Sequence, residues 1–300
     1  MRGHDGERYQ ILAVDKAGEG QEIREEGVMH YRTRTVEAGP MLYVQAYPVY
    51  RRAADLREAR EKVGRMTGEA MQRVNRRRSA LKLEQWIHAN FAEHDLFLTL
   101  TYAEEHARVG DDEVRKDVQN YIKRLRRKAK KAGKVLKYIY VLELPDRPDG
   151  DMRGYKETTG WHVHMVLSGV DRDTAEELWP YGYGNSKQLQ DSKERFTGIA
   201  KYMLKRRDSW RSWEHSRNCV EPQVRYTDRR PGKAKIMRLA DDVRAYGKEI
   251  FEHIYPGYEL IEDAEVRTSE FVAGAYLYAR MRKKENSRRD GRENRRRDLP

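Results

Sequence analysis

Two histidines at alternate positions, His162 and His164 in the run Gly160-Trp-His-Val-His-Met-Val-Leu-Ser-Gly169, are the side chains best spaced to do chemistry. On a β-strand, alternate side chains share a face, so both imidazoles point one way while Trp161, Val163, Met165 and Leu167 point the other. The pair can hold a metal ion; taken alone, it is more often the half-exposed polar face of an ordinary strand. Glu143 ends an earlier apolar run, Leu136-Lys-Tyr-Ile-Tyr-Val-Leu-Glu143, on the face of Ile139 and Val141. A carboxylate placed after such a run either finds a partner or stands in water at the strand end. On an antiparallel neighbour it reaches the histidines. Two neutral imidazoles, one carboxylate and open water positions suit a divalent ion such as Mn²⁺ or Mg²⁺ that polarises a phosphate oxygen.

A nucleophile for such a phosphate stands further on. In Glu194-Arg-Phe-Thr-Gly-Ile-Ala-Lys-Tyr-Met-Leu-Lys205, helical spacing gathers Phe196, Ile199, Ala200 and Met203 on a side that can pack on a sheet. Tyr202 and Lys205 project together from another side, with Gly198 one turn earlier. Helical side chains lean toward the N-terminus, so the phenol lies over bare backbone at Gly198, where a DNA strand has room. Phenols ionise only around pH 10, and a nearby cation such as Lys205 together with a metal-bound phosphate favours the phenolate. Attack on a phosphodiester leaves a phosphotyrosine and a free 3′-hydroxyl. A Tyr-x-x-Lys on a helix is frequent by chance, and its weight comes from its place after the His pair.

The elements that must position these residues have a clear rhythm. Phe97-Leu-Thr-Leu-Thr-Tyr102 alternates as a strand with Thr99 and Thr101 on one face. Asp111 and Asp112 cap a helix with the apolar stripe Val114, Val118, Tyr121, Ile122 and Leu125, which ends in a basic run before Gly133. The strand ending at Glu143 and the His-x-His strand follow as an antiparallel pair. A short helix over 171–178, the turn-rich Pro180–Gly184, an edge strand from Asn185 to Leu189 and a helix over 192–207 complete the order β, α, β, β, α, β, α. This predicts an α+β fold, with helices packed on one face of a central antiparallel sheet.

The flanks carry no such chemistry. Residues 1–50 are polar, with one strand-like run, Met41–Tyr47, that stops at Pro48; 51–93 read as a basic helical segment whose Arg73–Arg78 block can contact phosphates or simply be solvated. The nuclease core is expected over 94–208, a helical and aromatic extension over 209–280, and a disordered basic tail over 281–300. In the extension, Trp210, Trp213 and Arg217 can either pack onto the core or grip exposed bases.

Composition restricts the partners. The chain has 61 Lys and Arg against 49 Asp and Glu, a formal charge of +12, which favours a polyanion and nucleic acid first. Cys219 is its one cysteine, excluding an intramolecular disulfide and any Cys-based zinc cluster, so a metal needs His and carboxylate ligands. No apolar run is long enough to span a membrane and the N-terminus lacks a signal-peptide core, so a cytoplasmic location is expected.

The ordered set Phe97–Tyr102, Glu143, His162-Val-His164 and Tyr202-Met-Leu-Lys205 resembles the HUH endonucleases, specifically the rolling-circle replication initiator proteins of phages and plasmids, over about residues 80–206. The resemblance implies a central sheet of about five antiparallel strands with flanking helices, to which the helical N- and C-terminal segments are additions. It implies metal ligands at His162, His164 and Glu143, a nucleophile at Tyr202 and a motif lysine at Lys205. Some relatives place a second tyrosine where this chain has Gly198, which makes this a one-tyrosine form. The implied partners are a single-stranded replication origin and a host helicase and DNA polymerase in a bacterial cytoplasm. A transposase or relaxase with the same nicking chemistry, and a noncatalytic DNA-binding protein, are the alternatives.

Overall fold

Alternation of large and polar residues on either side of Gly39 folds the chain into a hairpin of β1 (Val28–Ala38) and β2 (Met41–Tyr50). Its two-residue turn needs the positive φ of Gly39, 61°, to match the strand twist. The computed structural model describes residues 28–50, 68–108, 110–143, 160–204, 213–268 and 274–284. They fall into two units, residues 72–221 and the flanking residues 1–71 with 222–300.

In the middle unit the expected order holds, element by element. After α1 (Gly68–Asn90) come β3 (Leu96–Tyr102), α2 (Asp111–Lys131), β4 (Lys137–Glu143), β5 (His162–Ser168), α3 (Arg172–Glu177), β6 (Gly182–Gln188), α4 (Thr197–Met203) and the two-residue β7 (Glu214–His215). The strands form one antiparallel sheet of five in the order β6–β3–β5–β4–β7. Helix α2 forms because its apolar positions recur at 114, 118, 121, 122 and 125, all buried. Its acidic first turn and basic last turn suit the helix dipole. Gly110 is the N-cap residue, so Asp111 and Asp112 act within the first turn instead of capping it.

Helices cover both faces of this sheet, where one had been expected. Leu98, Leu100, Leu142, Val163 and Met165 pack on the stripe of α2 and on Ala175 of α3. On the opposite face Ile139, Val141 and Val166 pack on Leu83 and Ile87 of α1 and on Phe196, Ala200 and Met203 of α4. The cause is visible in β4 and β5, which are apolar on both faces except toward their Glu143 and His162 ends. Helix α4 is shorter than the expected 192–207 because Arg195 takes a left-handed φ of 54° just before it.

At the end of β5, Gly169 turns the chain toward α3 with φ 93°, and a Cβ there would lie 2.4 Å from the Val135 carbonyl oxygen. Gly169→Ala is therefore expected to destabilise the unit by about 2–4 kcal/mol. Denaturant unfolding measures this, and an unchanged midpoint would contradict so tight a turn.

The flanking unit corrects the expectation of helical additions. Besides β1 and β2 it contains β8 (Gln223–Thr227), α5 (Lys233–Asp241), α6 (Val243–Ile254), β9 (Tyr258–Leu260), β10 (Glu265–Thr268) and β11 (Ala275–Lys283). Its sheet runs β10–β11–β2–β1–β8, with β9 also on β11. One face, carrying Leu42, Val44, Leu277 and Met281, is covered by Ile236 and Leu239 of α5 and Ile250 and Phe251 of α6. Strand β2 runs through Pro48, which lies beyond the Met41–Ala46 ladder with β11 and so interrupts no pairing there. The residues of the expected tail beyond Lys284 lie outside those described. No helix among the described residues is long and apolar enough to cross a membrane.

Candidate active site

Strand register brings the sequence-derived residues together. On β5, His162 lies opposite Thr101 of β3 and Glu143 of β4, and His164 lies opposite Thr99 and Val141. Directly opposed residues share a face, so the two histidines, the two threonines and Glu143 all project from the side that α1 and α4 cover in part. Each threonine holds one ring: Thr99 Oγ1 and His164 Nδ1 are joined by a 3.2 Å hydrogen bond, as are Thr101 Oγ1 and His162 Nδ1. The rings stand nearly parallel, 23° apart in plane with centroids 6.4 Å apart. With Nδ1 occupied, each imidazole keeps Nε2 for chemistry.

Glu143 reaches diagonally across the ladder, its Oε2 lying 2.5 Å from Nε2 of His164. His164 is buried at 2% exposure, which makes this contact short on water and strong. The donor set suits a divalent ion such as Mn²⁺ or Mg²⁺: two imidazole nitrogens and a carboxylate on one rigid surface. In this arrangement a proton joins His164 to Glu143, and an ion binding the same atoms would take that proton's place. The Thr99 hydroxyl donates or accepts and so serves either ring tautomer. Among the described residues no group of three His, Cys, Asp or Glu is already spaced around a common ion position, so the Glu143–His164 contact must open to admit one.

Tyr202 is delivered to the same place by α4. Its ring meets that of His164 edge to face, with centroids 5.1 Å apart and planes at 77°, and that of Phe97 at 5.9 Å and 88°. The side chain is 54% exposed, and among the described residues its hydroxyl has no hydrogen-bond partner. The space beside Gly198 is open, since a Cβ there would meet nothing within 4 Å. Other tyrosines of this unit are unsuited to attack. Burial, first of all, pushes the Tyr102, Tyr121 and Tyr140 phenols well above their usual range, and their hydroxyls donate to Asp117, the Ala175 carbonyl and Glu214. Lys205 lies outside the described residues, as does Trp210. Trp213 packs on Trp86 at 5.6 Å, so of its two readings the packing one applies.

Sequence reasoning left out the residues that hold α4. This helix has no side-chain cap of its own. Its start is tied to α1 instead: the Phe196 N–H donates to Nε2 of His88 at 3.1 Å, and the Thr197 hydroxyl donates to Oε1 of Glu84 at 2.9 Å. Glu84 and His88 are buried, which makes these bonds expensive to break. Their signal was two polar residues interrupting the apolar run Leu83-Glu-Gln-Trp-Ile-His88. Thr99 and Thr101 were visible as one face of a strand, but their pairing with the histidines depended on the register.

Residues 95–207 match a family model of replication-associated proteins, the ORF2 type. That stretch runs from just before β3 to just past α4, and so contains Thr99, Thr101, Glu143, both histidines and Tyr202. Neither a curated protein nor a solved structure matches the chain.

Proposed function

We propose that the protein is a metal-dependent DNA nicking endonuclease and strand transferase of the HUH type, which initiates rolling-circle replication with Tyr202 as its single nucleophile. The observation that carries this reading is the edge-to-face placement of Tyr202 on His164, within the stretch that matches replication-associated proteins. The Tyr202 oxygen, open to water for loss of its proton, attacks the scissile phosphorus. A tyrosine–phosphorus bond forms, the bond to the 3′ oxygen breaks, and that oxygen takes up a proton as the new 3′-hydroxyl. Phe97 and His164 hold the phenol ring from two sides and limit its orientations. A divalent ion held by His162, His164 and Glu143, Mn²⁺ or Mg²⁺, would supply charge opposite the non-bridging phosphate oxygens. Lys205, three residues after Tyr202, is proposed as the cation that favours the phenolate.

The phosphotyrosine conserves the energy of the broken bond, so a later 3′-hydroxyl can reverse the reaction and close the strand. In the replication role, the single-stranded origin is the substrate, and a host helicase and DNA polymerase use the exposed 3′ end. Tiled, 5′- and 3′-labelled single-stranded fragments of the surrounding DNA, incubated with protein and Mn²⁺, test this. One fragment is expected to become attached through its 5′ portion, with mass spectrometry placing the link on Tyr202. Binding without attachment to any fragment, with Mn²⁺ or Mg²⁺, would remove the enzymatic reading and leave a DNA-binding protein.

A further inference from the structure

The edge strand β6 presents a second, unassigned set of side chains to the same face. Tyr183 lies opposite Thr101, Asn185 opposite Thr99 and Lys187 opposite Phe97. Two rows therefore cross the sheet: Tyr183, Thr101, His162, Glu143 and, beside it, Asn185, Thr99, His164. We infer that this outer face of β6 is a base-binding strip for the single strand next to the scissile phosphate, with Tyr183 as its stacking platform. The inference rests on the nicking reading for the identity of its ligand.

Tyr183 is 75% exposed, the most exposed large hydrophobic side chain among the described residues. Helices α1 and α4 pack over Ile139, Val141 and Val166 and leave the β6 side of the sheet uncovered on this face. Packing fixes which way the strand faces. Its other side consists of Gly182, Gly184 and Ser186, and it has no space for larger residues: a Cβ on Gly182 would lie 2.3 Å from the Thr101 carbonyl oxygen, and one on Gly184 3.1 Å from Cα of Glu176. Ser186 anchors the strand further, its N–H and hydroxyl both donating to Oε1 of Glu176 at 2.8 and 2.6 Å. A slip by one residue would drive Tyr183 into backbone, so the ring is presented outward on a rigid support.

The chemistry of the strip fits a single-stranded polynucleotide. Tyrosine offers a flat ring to an unstacked base, asparagine an amide that both donates and accepts, and lysine a cation for a phosphate. No acidic residue occurs in β6 to repel the backbone. Strands are spaced about 4.8 Å apart, which puts β6 roughly 10 Å from the histidine strand, within reach of nucleotides flanking the one that Tyr202 attacks. In sequence, Tyr183 sat in an apparent turn; the strand begins at Gly182, and that moves it onto the sheet.

The test uses full-length protein carrying Tyr202→Phe, so that binding is read without attachment, and fluorescence anisotropy of a labelled oligothymidylate. Adding Tyr183→Ala is expected to weaken binding roughly 5- to 100-fold, the loss that follows removal of one base–aromatic stack, and Tyr183→Phe to rescue it. Lys187→Ala should flatten the dependence of log K on log salt by about 0.7. Melting temperatures should stay unchanged, because a merely structural Tyr183 would show itself there. Unaltered affinity in the Tyr183→Ala protein overturns the strip. If otherwise wild-type protein attaches DNA while Tyr183→Ala changes neither affinity nor attachment, the strip alone is wrong. If no DNA is ever attached but Tyr183→Ala still weakens binding, the strip stands and the nicking reading falls.

Discussion

Tyr202→Phe protein is expected to form no covalent DNA adduct, a fall on the order of 10⁴-fold or more from the wild type, while folding normally and still binding single strands. The substitution removes one oxygen and nothing else. The ring contacts with His164 and Phe97 are those of the aromatic edge, and phenylalanine keeps them. Because the hydroxyl has no hydrogen-bond partner among the described residues and the side chain is 54% exposed, the cost in stability should stay within about 0.5 kcal/mol. A denaturing gel of labelled oligonucleotide reads the adduct, and a thermal melt reads the fold. An adduct at the wild-type level would move the nucleophile elsewhere, and Tyr183, exposed on the same sheet face, would be the next residue to examine.

The middle unit was legible because each of its elements carries its own signal: alternation in β3, a 3.6-residue apolar stripe in α2, apolar runs in β4 and β5. The faces of those strands then placed Glu143 with the histidines before any contact was known. Strand β1 gives no comparable signal. Its Arg32-Thr-Arg-Thr35 alternation reads as polar loop, and only the register shows Thr33 fully buried, opposite Ala46 on one side and Thr227 on the other. Strand identity there is decided by remote partners, which a local period does not encode. The same holds for the support of α4. Glu84 and Thr197 are 113 positions apart, so a buried glutamate on α1 looks anomalous until the helix it holds is in place. The two helices over the site face could be foreseen only once β4 and β5 were recognised as apolar on both sides.

His164→Asn is expected to cost about 10²–10³-fold in nicking rate and to change the Mn²⁺ dependence, with a smaller effect on stability. Asparagine is chosen because its amide falls near the position of Nδ1. It can keep the hydrogen bond to Thr99 Oγ1 while deleting the Nε2 pole that lies 2.5 Å from Glu143. His164 is 2% exposed, and the lost bond to Glu143 should lower unfolding free energy by about 1–3 kcal/mol, which a melt separates from the catalytic loss. Chelation should stop nicking by the wild type, and added Mn²⁺ should restore it fully; the variant should recover only in part and at higher Mn²⁺. The comparison decides between the two meanings of the His-x-His pair. If His164 is an ordinary polar side chain on a strand face, its replacement alters stability alone, and nicking by the folded fraction keeps both its rate and its metal dependence. If Nε2 is a ligand, the rate at saturating DNA falls even where the protein is fully folded, because the group lost belongs to the chemistry and not to the packing.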